Sequence, residues 1–600
     1  MKFVMVLFVT FAVVMVYGQG IPTRQCPSGE HSVLYCPQKA EPSCDNPTVH
    51  KLTGPSPCGV PQCFCNKPTT EKRVVTLDVG EVIGEKYWNG DFFEFYGVPY
   101  AKVPKGRDRF KEPLPLEHFG SLVADIRNIH CPQIFLKESD DDEDEVFGQE
   151  DCLNMNLLVP SIANEKNLVP VLVYIHSGGY SGGNGNMAKL HYLAREDVLV
   201  VSFNYRLGVI GFACLGTEEI PGNAGLKDQL AALKFINKYI KKFGGDPTKV
   251  TLAGFSVGAT MAELLALSKA ASGLFDKLIL ESGSALSPFA INRHPIDTAK
   301  NLAISIGYND TGNIKDLNEF LLNADIVDMT LKTHNFFLEN STFGFAPCLE
   351  NVIKNTEPII TESPLMVLQK GDYKQMPVLT GFANMEGISR TFKFDEWSEA
   401  MNENFADFLP ADLTFDTVKS RDALIEDIKQ YYFKGEEVSH DTLKGYVDYF
   451  SDAMFKYSIM KSAKLHSSKS NRPVFLYEFT YVGKLSLKHY YMDKLDGASH
   501  RDQTSYLLDF FGFTDDLNDL ETRDRMTAMW TDFVKFENPT AYESLLIDVK
   551  WRRYTKETPN YMQIAKNLQL KKNLFSKSYA FWDNIYEKYY WSPTPVSEAK

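Results

Sequence analysis

Short, mostly apolar runs, rich in Val, Ile and Leu, recur from about residue 70 onward, at 171–175, 198–201, 250–253, 278–280, 377–380 and 474–479. Such runs suit strands buried on both faces of a parallel sheet, because neither face has to meet water. The stretches between them carry helical periods. The clearest puts Leu226, Leu230, Leu233, Ile236, Ile240 and Phe243 at steps of three or four, with Gly244-Gly245 behind them as a stop. Strands alternating with helices predict an α/β fold, with a central, mostly parallel sheet flanked by helices. No internal repeat is present.

At 600 residues the chain exceeds a single ordinary domain of roughly 100–200 residues. The cysteines mark the boundary. Six of the ten crowd together as Cys26, Cys36, Cys44, Cys58, Cys63 and Cys65; Cys131, Cys152, Cys214 and Cys348 are spread thinly. Residues 19–68 lack the apolar side chains for a core, so a small disulfide-rich module is expected there. Six cysteines allow fifteen pairings, and sequence does not choose among them. Ahead of the module, a basic start, an apolar run at 3–17 and Gly18 read as a secretory signal peptide over residues 1–18, too short to span a bilayer. That makes the cysteines candidates for disulfides in a secreted, extracellular protein. Residues 69–600 form the main domain.

Charge excludes one class of function. The net charge is −14, against the clustered Lys and Arg that phosphate contacts require, so no nucleic-acid partner is expected. One tract is extreme: residues 138–145 hold seven acids in eight positions, which like-charge repulsion keeps in a solvated loop. No later stretch is long enough to anchor the chain in a membrane.

Gly254-Phe255-Ser256-Val257-Gly258 follows the run at 250–253 and precedes a helical stretch at 259–267. Small residues on either side let a strand turn sharply into a helix, with the serine hydroxyl standing above the sheet as a nucleophile. A second match, Gly179-Tyr180-Ser181-Gly182-Gly183, lies in a glycine-rich loop without a helix behind it. Ser256 is therefore the expected nucleophile. The loop has a different reading. His176-Ser177-Gly178-Gly179 follows the run at 171–175, where backbone N–H groups can approach a substrate oxygen. Gly178, Gly179 and the amide of Val257 would form an oxyanion hole.

With these motifs in view, the chain resembles the type-B carboxylesterase/cholinesterase family from about residue 74 to Trp582. Phe95-Tyr96-Gly97-Val98-Pro99-Tyr100-Ala101, Glu150-Asp151-Cys152-Leu153-Asn154, Asn204-Tyr205-Arg206-Leu207-Gly208, Gly225-Leu226-Lys227-Asp228-Gln229 and Phe243-Gly244-Gly245-Asp246-Pro247 follow the family's order and spacing. The resemblance implies an α/β-hydrolase fold and a catalytic triad. Gly381-Phe382-Ala383-Asn384-Met385-Glu386-Gly387 matches the family's acid motif, and Gly497-Ala498-Ser499-His500-Arg501-Asp502 its histidine motif. Glu386 and His500 would then join Ser256, in the chain order this fold uses. It further implies a Cys131–Cys152 disulfide closing a loop at the mouth of the active site, and ion pairs Arg109–Glu150 and Arg206–Asp228. It gives Cys214 and Cys348 no partner, so they are expected free and buried. No cofactor or metal is required.

In the amino-terminal module, Cys58-Gly59-Val60-Pro61-Gln62-Cys63-Phe64-Cys65 resembles the trypsin-inhibitor-like cysteine-rich fold, with fewer cysteines than that family has. A binding or spacer module fits better than protease inhibition, with a matrix component or a protease as its partner.

Several departures narrow the substrate. The family has Glu before the nucleophile and Ala after it, where this chain has Phe255 and Val257. The segment between Cys131 and Cys152 has no Trp to hold a choline cation. Ser177 replaces a family glycine, and Gln503 an acid near His500. The expectation is a secreted serine esterase for neutral, lipophilic carboxylic esters. The competing reading is a weak or inactive binding protein on the same scaffold, which the presence of all three triad residues disfavours. Asn309 and Asn340 each head an Asn-x-Thr sequon and are expected to be glycosylated.

Overall fold

The computed structural model describes residues 71–595 apart from 136–143, 188, 334–337, 355, 493, 509–513 and 543, together with a short antiparallel pairing of Arg24–Gln25 with His31–Ser32. The signal segment, nearly all of the cysteine-rich module and most of the acidic tract lie outside the described residues.

The apolar runs become the middle of a 13-stranded sheet. In chain order its strands are β1 (Lys72–Leu77), β2 (Gly80–Lys86), β3 (Phe92–Pro99), β4 (Ser121–Val123), β5 (Asn154–Pro160), β6 (Val169–Ile175), β7 (Leu199–Phe203), β8 (Gly245–Phe255), β9 (Lys277–Glu281), β10 (Val378–Ala383), β11 (Val474–Phe479), β12 (Asn560–Ile564) and β13 (Leu568–Lys572). They are ordered β13-β12-β11-β10-β9-β8-β6-β7-β5-β3-β2-β1, with β4 beside β2. The block from β7 to β12 is parallel. Antiparallel strands flank it on both sides. This is the expected α/β-hydrolase architecture.

Side chains alternate between two core layers. Val171, Val173 and Ile175 enter one apolar cluster, and Leu172 and Tyr174 of the same strand enter the other. Burying each such side chain contributes roughly 1.5–3 kcal/mol, which is why a strand covered on both faces reads as an unbroken apolar run. Helices cover both layers: α1 (Ala224–Tyr239), α2 (Val257–Leu267), α3 (Leu443–Phe450), α4 (Tyr457–Lys469) and α5 (Leu517–Phe536). In α1 the predicted apolar positions Leu226, Leu230, Leu233 and Ile236 are buried, and Gly244 ends the following turn at φ 92°. No helix among the described residues is long and apolar enough to cross a membrane.

The chain order reverses in the middle of the sheet. β7 lies on one side of β6 and β8 on the other, so the crossovers after β6 and β7 part in opposite directions. A crevice opens at the carboxyl ends of the strands at such a point.

Two expectations need correction. Cys214 and Cys348 are not free: they are bonded to each other, although 134 residues apart, and both are fully buried. What joins them is the turn before α1. A Cβ on Gly222 would lie 2.6 Å from the Cys214 sulfur and 2.8 Å from that of Cys348, so only a bare backbone fits beside the bridge. Asn223 then brackets Cys348, donating to its carbonyl at 2.8 Å and accepting from its amide at 2.9 Å. Arg109 and Glu150 form no ion pair among the described residues. Arg109 instead donates to the carbonyl of Gly106, in its own turn, and to that of Ala324, at the end of the helix Ile314–Asn323. The other pair is as expected: Arg206 grips both oxygens of Asp228 at 2.8 and 2.6 Å, completely buried. Cys131 and Cys152 are also bridged. Asn309 is exposed and Asn340 half-buried.

Candidate active site

Ser256 lies between β8 and α2 with φ 55° and ψ −122°, outside the regions an L-residue ordinarily occupies. The two glycines make that turn possible. A Cβ on Gly254 would sit 2.3 Å from the Gly258 carbonyl carbon, and one on Gly258 would sit 2.3 Å from the Ile175 carbonyl oxygen. The turn is pinned on both sides: the Ser256 amide donates to Glu281 O at 2.8 Å, and Thr260 N donates to Ser256 O at 3.0 Å.

Two more loops at the carboxyl ends of the sheet reach the serine. His500 Nε2 is 3.1 Å from Ser256 Oγ, and His500 Nδ1 is 2.5 Å from Glu386 Oε2. Glu386 follows β10 and is fully buried. Its other oxygen accepts from Ala383 N at 2.8 Å and Ser282 Oγ at 2.6 Å. Two hydrogen bonds tie the acid and histidine loops together, one between backbones and one to a side chain. Met385 N donates to Ala498 O at 2.9 Å, and Ala498 N donates to Asn384 Oδ1 at 2.8 Å. Asp502 holds the far side of the histidine loop by accepting from Ser499 N at 2.8 Å and Leu487 N at 2.6 Å, and its burial lifts its own pKa to about 6. Burial also lowers the pKa of His500, against the raising effect of the Glu386 charge. A lowered value keeps the imidazole neutral, and so able to take a proton, at neutral pH.

The glycine loop after β6 folds back on itself. Ser181 N and Gly182 N donate to Gly178 O at 3.1 and 3.0 Å. Among the described residues the amides of Gly178 and Gly179 have no backbone acceptor of their own. Val257 opens α2, where a helix has no preceding carbonyl to take its N–H. His176 is stacked on Tyr205 with centroids 4.3 Å apart, and burial pushes its pKa down to about 4. It is therefore a neutral packing residue of this loop. Ser181, the decoy, turns its hydroxyl to Gly179 O.

Sequence reasoning missed two residues of this neighbourhood. Ser282, at φ 51°, carries the hydrogen bond to Glu386 and receives one from Gln503 Nε2 at 2.6 Å. Gln503 thus supports the acid through a hydroxyl, where the family has a charge. The only local signal is a Ser-Gly pair closing a strand. Gln133 is the second. Its amide brackets Gly183, accepting from Gly183 N at 2.9 Å and donating to Gly183 O at 3.0 Å. It joins the bridged 131–152 segment to the glycine loop, and nothing local in sequence announces it.

Comparisons with known proteins point the same way. The model of the Carboxylesterase family matches residues 71–582. Esterase FE4 of Myzus persicae is 32% identical over 528 residues, 84% of this chain and 91% of that protein. Juvenile hormone esterase of Tribolium castaneum is 30% identical over 530 residues, 83% of this chain and 88% of that protein. Among solved structures, juvenile hormone esterase from Manduca sexta, with OTFP covalently attached, superposes with a TM-score of 0.76 at 29% identity, covering 86% of this chain and all 100% of that one.

Proposed function

This chain belongs to the carboxylesterase family and is a carboxylic ester hydrolase; on that premise we propose that it works through an acyl-enzyme on Ser256, with His500 as general base and Glu386 as the acid that orients it. The observation that carries the reading is the row of two contacts, 3.1 Å from Ser256 Oγ to His500 Nε2 and 2.5 Å from His500 Nδ1 to Glu386 Oε2, with Ser256 on the strained turn between β8 and α2.

The steps follow from the atoms. A serine hydroxyl is a poor nucleophile, so His500 Nε2 takes its proton as Oγ attacks the ester carbonyl carbon. The carbonyl oxygen becomes an anion beside the N–H groups of Gly178, Gly179 and Val257; one such donor is worth about 3 kcal/mol of transition-state stabilisation. Glu386 holds the Nδ1–H tautomer and offsets the imidazolium charge. The carbon–oxygen bond to the alcohol breaks, and the alcohol leaves with the proton from Nε2. Water then gives a proton to Nε2, attacks the acyl carbon and releases the acid, and Ser256 regains its hydrogen.

The substrate is a neutral, lipophilic carboxylic ester. Phe255 puts an apolar ring beside the nucleophile where a carboxylate would attract a cation. The esterase names of the relatives support an ester substrate. The leader at 1–18, the bridges Cys131–Cys152 and Cys214–Cys348 and the sequons at Asn309 and Asn340 support a secreted glycoprotein, with the 19–68 module binding a matrix component or a protease.

The test is hydrolysis of aryl esters of increasing acyl length by the full secreted chain, beside Ser256→Ala. Turnover in the wild type and none in the variant is expected. A folded wild type that hydrolyses no ester and is not labelled at Ser256 by an organophosphate overturns the reading.

A further inference from the structure

The catalytic imidazole has an aromatic ring against it from each core layer. The Phe255 centroid lies 4.6 Å from that of His500 with 39° between the planes, and the Phe455 centroid lies 4.5 Å away with 33° between planes. Phe255 belongs to one apolar cluster of the sheet and Phe455 to the other, and both are almost completely buried.

Separate devices deliver the two rings. Phe255 is the last residue of β8, and the strained turn at Ser256 sends the chain away immediately behind it. Phe455 sits in a single wide turn, Ser451–Lys456, with π-helical hydrogen bonding, between α3 and α4. Such a turn inserts one residue, and each residue is worth about 100° of helix rotation, so the side chains beyond it point in a new direction. The turn is registered against the acid loop. Gly387 N, next to Glu386, donates to Ser451 Oγ at 2.8 Å. A Cβ on Gly387 would lie 2.2 Å from Val447 O, so α3 touches that loop backbone to backbone. Glu386 on one side of His500 and Phe455 on a face of it are thus set by the same contact.

We infer that Phe255 and Phe455 are positioning residues for ester hydrolysis: their rings clamp the His500 imidazole between the two core layers, holding it on the line from Ser256 to Glu386 and shielding its faces from water. The inference rests on the triad proposed above. It gives Phe255 a role beyond the absence of a carboxylate. A hydrocarbon ring on the imidazole favours the neutral base over the cation. A carboxylate at the same position would favour the cation.

The charges around His500 are few. Glu386, after β10, raises its pKa; Arg390, in the turn after Glu386, and Arg501, in its own loop, lower it alongside burial. On the wide turn, Asp452 and Lys456 pair with each other at 3.6 Å. On β9, Glu281 is lifted to about 8 by burial and is mostly neutral at pH 7. Opening either ring face to water therefore moves the His500 pKa up, toward the ordinary 6.5. Because the neutral imidazole is the active form, the acid limb of kcat/KM moves to higher pH.

The experiment measures pH profiles of kcat/KM, with kcat and KM separately, for wild type, Phe255→Leu and Phe455→Leu. Phe289→Leu is the control, because its ring packs on Phe455 at 5.7 Å and has no ring contact with His500. Both clamp variants should shift the acid limb upward and lose kcat by roughly tenfold, a part of what general base catalysis supplies, with KM less affected. The control should leave the limb in place. An unmoved limb in both clamp variants, or an equal movement in Phe289→Leu, overturns the clamp. If Phe455→Leu does not fold, Phe455→Met fills the space without a flat ring and is judged by the same criteria. Failure of the triad itself is visible earlier, in wild type that neither hydrolyses esters nor labels at Ser256.

Discussion

The crevice above the sheet and the Cys214–Cys348 clamp are both built from segments distant in sequence, yet they leave different traces in it. In the crevice, each loop must take a local shape that few residues tolerate. Ser256 needs φ 55°, and Gly254 and Gly258 must lack side chains because backbone lies 2.3 Å from where a Cβ would be. Those demands write a short motif. The clamp needs only two cysteines and a bare turn at Gly222, and its partners are chosen by packing across 134 residues. The crevice is where function concentrates strain; the clamp is where the fold stores stability. Variants in the first should change rate without changing melting, and variants in the second the reverse.

The largest effect is expected from Glu386→Gln. The amide keeps the shape but offers Nδ1 the wrong partner, so the imidazole loses its tautomer and its counter-charge; kcat should fall by about 10⁴-fold. Thermal unfolding should hardly move. A fall in melting temperature that matches the loss of rate would erase the distinction between the two regions.

The clamp is probed by Cys214→Ser with Cys348→Ser. Loss of a native disulfide closing a long loop destabilises by about 2–5 kcal/mol. Denaturant midpoints should drop accordingly, while kcat/KM of the folded fraction stays put. If rate falls and stability does not, the bridge serves the crevice after all.

The same contrast explains what is legible in the sequence. The parallel strands, α1 and the nucleophile turn can be read because burial on both faces, helical period and backbone strain act locally. The apolar run places β8 over 250–253, whereas the strand runs Gly245–Phe255, since Gly254 and Phe255 still pair with Leu280 and Glu281 of β9. That pairing is tertiary and leaves no pattern. His500 can be picked from twelve histidines only through the family's motif. Ser282 and Gln133 escape because their role is a hydrogen bond to a residue 104 or 50 positions away. Resemblance pairs Arg109 with Glu150, and nearby carbonyls take its guanidinium instead.

Glu281 ties the crevice to the core, since its carbonyl accepts the Ser256 amide while its carboxyl is buried. Burial lifts that carboxyl from 4.5 to about 8. Between those values the folded chain holds a proton that the unfolded chain has released. The folded state binds more protons, so stability falls as pH rises through that window. Glu281→Gln removes the titration. Its stability advantage over wild type should be small near pH 4.5 and grow toward pH 8. The growth should reach a few kcal/mol at most, because one bound proton changes stability by about 1.4 kcal/mol per pH step of one. Chemical denaturation at several pH values measures it. An advantage that does not change with pH would mean the carboxyl is charged in the folded chain, stabilised by a partner.

The smallest effect is expected from Gln133→Ala, and it tests whether the crevice's precision depends on a residue that carries no strain. Gln133 is buried and holds both the N–H and the C=O of Gly183, five residues beyond Gly178. Without it the glycine loop keeps its own internal bonds to Gly178 O but loses its tie to the 131–152 segment. The proposed oxyanion donors should then wander by a fraction of an ångström, and kcat should fall roughly tenfold, since a full ångström of misplacement can cost about a hundredfold. KM should change less, because those donors meet charge that develops only in the transition state. A raised KM at unchanged kcat would move Gln133 from positioning the oxyanion hole to shaping the entrance, and the bridged segment with it.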